Sequence, residues 1–85
     1  MTHELKTWPE PFEGVISGNK RHEIRKNDRG FKVGDNLLLR EWNPESKKYT
    51  GRSTLASVTY ITPGGNFGLP KTLCVMTISC RGLLI

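Results

Sequence analysis

Between residues 20 and 32 the chain sets six cations, Lys20, Arg21, Arg25, Lys26, Arg29 and Lys32, against two anions, Glu23 and Asp28. The whole protein carries a net charge of +5, from 13 Lys and Arg against 8 Asp and Glu, so nearly all of the excess sits in this segment. Concentrated positive charge is the footprint of a polyanion-binding surface, although clusters of this size also decorate solvated loops. Inside the segment, Glu23-Ile24-Arg25 alternates with period two, which places Ile24 on one face of a strand and both charged side chains on the other. The expectation is that Ile24 enters the core. On the opposite face Arg25 offers a planar fork for a phosphate, and Glu23 accepts from a base amino group or steadies Arg25 or Lys20. Lys20 adds a mobile point charge, and Arg21, Lys26, Arg29 and Lys32 are the expected contacts to backbone phosphates. The competing reading is a purely structural ion pair of Glu23 with Arg25 or Arg40.

Other chemistries find less support. His3 and His22 lack metal-ligand spacing, and neither Cys74 nor Cys80 belongs to a C-x-x-C pair, so no metal or redox cofactor is expected. Along one continuous strand the two cysteines would stand about 20 Å apart, beyond the reach of a disulfide, and are expected as reduced thiols. No nucleophile elbow, P-loop or dinucleotide fingerprint occurs. Gly64-Gly65-Asn66-Phe67-Gly68 lacks the strand-to-helix setting of a phosphate cradle, and its lone aromatic, Phe67, is expected to be exposed and free to stack on a base. Trp42 and Tyr49 fit base stacking and ordinary packing equally well.

The elements that must position these residues are short. His3 to Lys6 suits a first strand. Thr7 to Pro11 opens a helix with Pro9 in its first turn, and Phe12, Val15 and Ile16 form its apolar stripe. Gly14 weakens that helix and Gly18 closes it, so it must dock on a sheet to persist. Beyond the basic segment, Val33-Gly34-Asp35 turns the chain into a buried strand over Asn36 to Trp42. A polar tip from Asn43 to Gly51 leads into a second strand, Arg52 to Ile61. Leu73 to Ser79 is the last strand, followed by an apolar tail, Arg81 to Ile85, that needs a docking site. Connections this short exclude repeated βαβ crossovers, so the expected class is α+β and mainly β, a small barrel of about five strands with one short N-terminal helix.

The octet Gly18-Asn19-Lys20-Arg21-His22-Glu23-Ile24-Arg25 fits G-x-K-x-x-E-x-R and is followed by Gly34-Asp35. In this setting it resembles the signature of ASCH domains in the PUA-like superfamily. Over residues 3 to 78 the chain is similar to a small bacterial and phage branch of unknown function, matched at Phe12-Glu13, Leu39-Arg40-Glu41-Trp42, Tyr49-Thr50-Gly51-Arg52 and Phe67-Gly68-Leu69. The resemblance implies a PUA-like β-barrel that binds RNA or a modified nucleobase in a cleft beside Lys20, Glu23 and Arg25. Acetylcytidine amidohydrolases, which resemble the same octet, use a Lys and a nucleophilic Thr. Here Lys20 matches, while Glu23 stands at the Thr position. A hydrolase acting on a modified nucleoside or RNA, with Lys20 and Glu23 as its catalytic groups, is thus the second expectation, and a phage-type protein that binds a host protein is the third.

Length and composition bound all three. Leu, Ile, Val and Phe supply 21 of 85 residues, above the roughly one-fifth level below which chains tend to be disordered. A chain of this size folds as one domain around one small core, expected here over residues 1–85. Two cysteines are too few for a disulfide scaffold, no run approaches the ~18 apolar residues of a membrane span, and Met-Thr-His-Glu has no basic, apolar leader character. The expected location is the cytoplasm.

Overall fold

Apolar residues at every second position make the strands. Leu37, Leu39 and Glu41 fall on one face of Asn36–Asn43 and are buried, while the residues between them are half-buried. The computed structural model describes residues 1–84: strand β1 (Thr2–Thr7), helix α1 (Pro9–Ile16), and strands β2 (His22–Lys26), β3 (Asn36–Asn43), β4 (Lys48–Pro63) and β5 (Leu73–Leu83). The five strands form one sheet in the order β1-β3-β4-β5-β2, with β1 parallel to β3 and the other pairs antiparallel. The sheet curls into a half-barrel. Its concave face gathers Leu5, Phe31, Leu37, Leu39, Ala56, Val58, Cys74, Met76 and Ile78, and Val15 of α1 completes this core.

The helix starts where proline fixes it. Trp8, the residue before Pro9, is held extended at φ −68°, ψ 157°, because a following proline disfavours the helical region. Phe12 and Val15 are fully buried, as their spacing requires, and Gly18 leaves the helix at φ +83°. Arg52 ties α1 to the hairpin of β3 and β4. Its guanidinium donates to both oxygens of the buried Glu41 carboxylate at 2.8 Å, reaches Glu13 on the helix, and lies 5.0 Å from the Phe12 ring. Thr50 Oγ1 donates to the same Glu41 at 2.6 Å. Arg52 holds the Glu41 carboxyl below its ordinary value, against the opposing effect of burial.

Two expectations on the elements need correcting. The hairpin tip is shorter than Asn43 to Gly51: β4 already begins at Lys48, because Asn43 Oδ1 accepts from the Glu45 amide at 2.9 Å and Lys47 takes a left-handed φ of 57°. The last strand runs past Ser79 to Leu83, so most of the apolar tail is itself sheet, and the Leu84 amide donates to the Ser53 carbonyl at 2.8 Å. Ile85 lies outside the described residues. Cys74 and Cys80 are free thiols on the same strand, the first fully buried and the second partly so.

At the β1–β3 end of the sheet, a buried hydrogen bond fixes the chain start and the loop before β3. His3 Nε2 lies 2.8 Å from Asp35 Oδ2, and the ionised carboxylate only accepts, so the imidazole proton sits on Nε2. The same carboxylate accepts from the Lys32 amide at 3.0 Å and the N-terminal ammonium at 3.3 Å. These bonds, the one from His3 foremost, hold the Asp35 carboxyl down to about 2 from 3.8. A depressed carboxylate pKa stabilises the fold above the unfolded value, and that contribution disappears as pH falls towards 2. Asp35→Asn should therefore lower the melting temperature at pH 6 and flatten the loss of stability between pH 4 and pH 2, read by thermal melts across that window.

Candidate functional site

Among the described residues no backbone pairing closes the half-barrel. The Ile78 amide bonds to the Arg21 carbonyl and the Asn27 amide to the Thr72 carbonyl, so by antiparallel parity residues 21, 23, 25 and 27 face β5. His22, Ile24 and Lys26 turn their backbone groups towards the opening between the two edge strands, β2 and β1. Side chains span that opening. Arg25 Nη2 donates to the Lys6 carbonyl at 3.0 Å and to Thr7 Oγ1 at 3.3 Å, and Arg29 Nη1 donates to the Glu4 carbonyl at 2.8 Å.

Within this seam Lys20, Glu23 and Arg25 converge. Glu23 is buried at 3% exposure, with Lys20 Nζ 2.8 Å from Oε1 and Arg25 Nε 2.9 Å from Oε2. The alternation along β2 is as expected, but its sense is inverted: Glu23 and Arg25 face inwards, and Ile24 is 52% exposed. The inner face of an edge strand beside an open seam meets two cations rather than apolar side chains, so the carboxylate is the residue that fits there. Gly14 positions Lys20. A Cβ on Gly14 would stand 3.0 Å from the Lys20 Cβ, and the Lys20 amide donates to the Gly14 carbonyl at 2.8 Å, so glycine lets the chain cross the helix closely.

Donor accounting shows what the triad still offers. Lys20 Nζ also donates to the His22 carbonyl at 2.6 Å, which leaves one of its three hydrogens. Arg25 uses Nε and Nη2, and its Nη1 has no protein partner among the described residues. Both residues line an open pocket of about 360 Å³. Its floor is Glu23, Arg25 and Thr7, and its apolar walls are Pro11, Ile24 and Trp8, the last 57% exposed. His22 and Lys6 complete the rim. Among the described residues no group of three or more His, Cys, Asp and Glu converges to hold a metal ion.

The other expected site residues disperse. Arg21 is exposed, with Nε donating to the Gly18 carbonyl at 3.0 Å, and it borders a second concavity beyond Lys20. Lys26 and Arg29 border a third, beyond Arg25. Lys32 is exposed and lines none of these, its backbone amide being bonded to Asp35. Phe67 is 96% exposed at a left-handed φ of 53°, in the loop between β4 and β5, also away from them. Lys6 Nζ covers the Trp42 ring at 4.1 Å, and Arg40 covers Tyr49 at 3.8 Å, so both aromatics have packing partners. Arg40 pairs with Glu4 rather than Glu23. Trp8, the aromatic at the pocket, is the one that sequence reasoning missed. Its signal is a tryptophan immediately before the helix-opening proline and outside the helix's apolar stripe.

Comparison with known proteins finds a family model that matches residues 2–78, described as a domain of unknown function, DUF3850. The chain belongs to the DUF3850 family. Over 60 residues it is also 42% identical to an uncharacterized 12.9 kDa protein in the GpA 3′ region of Escherichia phage P2, a match covering 71% of this chain and 53% of that protein. The DUF3850 chain thus spans about half the length of the curated relative it matches. The matched family region contains the whole triad, α1 and the first four strands. Among the described residues no helix is long and apolar enough to cross a membrane.

The inverted orientation of β2 predicts opposite outcomes for neighbouring residues. Ile24→Ala should change stability by no more than about 0.5 kcal/mol, as at other exposed positions. Glu23→Gln, which leaves two cations facing a neutral amide, should cost on the order of 3 kcal/mol. Urea titrations of both variants check this.

Proposed function

We propose that this DUF3850 domain is a PUA-like module that binds single-stranded RNA or a nucleotide, with one base held in the pocket of Trp8, Ile24 and the Lys20–Glu23–Arg25 triad. The observation that carries the reading is the pairing, in one open pocket, of an exposed indole with a buried carboxylate flanked by two cations that each keep an unused donor. A base stacks on Trp8, a contact worth about 1–3 kcal/mol and tolerant of base identity. Arg25 Nη1 and the remaining Lys20 hydrogen donate to base carbonyl or phosphate oxygens, and Glu23, whose oxygens each retain a lone pair, accepts from an amino group. The resemblance of the octet to ASCH domains supports the same reading, and the net charge of +5 supports an anionic partner.

Binding of a labelled single-stranded RNA, followed by fluorescence anisotropy, should weaken by roughly 0.7 log units per contacted phosphate for each log unit of salt. Trp8→Ala should weaken it by about 1–3 kcal/mol while leaving the melting temperature nearly unchanged, because the indole is exposed. Absence of binding even at low salt removes the proposal. Mass spectrometry of a nucleoside panel incubated with the protein tests the hydrolase alternative, and clear turnover would replace the binding reading with it.

A further inference from the structure

The two concavities that flank the central pocket share its walls. Lys20 borders both the central pocket and a concavity of about 410 Å³ formed by the end of α1, Arg21 and the Ile78–Cys80 stretch of β5. Arg25 borders both the central pocket and a concavity of about 210 Å³ that contains Lys26, Arg29, Phe31 and Asp28. All three follow the segment from the end of α1 through β2 to the loop beyond it. The order along that line is concavity, Lys20, central pocket, Arg25, concavity.

We infer that these concavities are three successive subsites of one track for single-stranded RNA, with Lys20 and Arg25 each holding one internucleotide phosphate. The inference rests on the nucleotide-binding reading of the central pocket and extends it to the length and register of the ligand. Three bases are joined by two phosphates, and the three concavities are separated by two cations, each with a hydrogen-bond donor left unused. Arg21 borders one flanking subsite and Lys26 the other, and both are exposed, so each meets the nucleotide seated in its own subsite. Asp28 is an anion in the third subsite, outnumbered there by Arg25, Lys26 and Arg29, and it accepts from a base amino group rather than facing a phosphate. The ligand must be single-stranded, because separate hollows side by side accept splayed bases and a duplex keeps its bases stacked.

Isothermal titration of the full chain with uridylates and adenylates of one to five nucleotides tests the track. Affinity should rise with each nucleotide up to three and then change by less than about twofold. The salt slope should steepen by roughly 1.4 between the mononucleotide and the trinucleotide, about 0.7 for each added phosphate. Arg21→Ala and Lys26→Ala should each reduce the gain from one nucleotide to three at least fivefold, with melting temperatures unchanged. If the mononucleotide binds and length adds nothing, the track is wrong and the single-base pocket stands. Affinity that keeps growing by equal steps beyond three nucleotides overturns the three-subsite register. If no length binds at low salt, the track and the pocket reading fall together.

Discussion

Glu23 carries a negative charge into the half-barrel, and the seam between β1 and β2 is organised around it. The two strands lie at opposite edges of the sheet, so the backbone bonds that would close a barrel are replaced by Arg25, which grips Glu23 with Nε and the β1 backbone with Nη2. Arg29 repeats the grip at Glu4. An isolated buried carboxylate would be strongly unfavourable, and two cations at hydrogen-bond distance offset its desolvation. The constraint propagates outwards: Lys20 must reach Oε1, so the chain must cross α1 closely at Gly14 and turn out of the helix by Gly18.

The same arrangement leaves function room. A backbone-paired seam would use up its donors, whereas one spanned by long side chains keeps spare ones and a hollow beside them. The helix contributes its start rather than its length. Pro9 fixes Trp8 in an extended conformation, and the indole, too exposed to stabilise the core, stands at the rim of the hollow. The Glu41–Arg52 and His3–Asp35 pairs border none of the three concavities. Arg52 is committed to Glu41 and Glu13, and Asp35 accepts from three donors, so each reads as a tie between elements.

Periodicity made most of the fold legible. The helical spacing of Phe12 and Val15, the apolar run at Leu37 to Leu39 and the glycine after the helix each correspond to an observed feature, because local pattern and burial agree there. In β2 the period was legible and the sense was not. The rule that apolar residues face inwards fails where the inner face is filled by an ion triad, and the cations that complete the triad lie on both sides of Glu23 in the chain. Trp8 was hidden because its role depends on a pocket built from β1, α1 and β2 together, which no local pattern encodes. Phe67 stands exposed as its glycine-rich surroundings suggest, yet apart from the site, since the sequence carries no information on which loops meet.

The most direct test of the account is a heteronuclear NMR titration of the ¹⁵N-labelled protein with a trinucleotide, following the Trp8 indole N–H, the Arg25 Nε–H and the Ile24 amide together. All three resonances are expected to shift along one saturating curve while the Trp42 indole, which does not line the pocket, moves little. Saturable shifts confined to Trp42, Tyr49 or the Phe67 loop, with the triad unmoved, would contradict it.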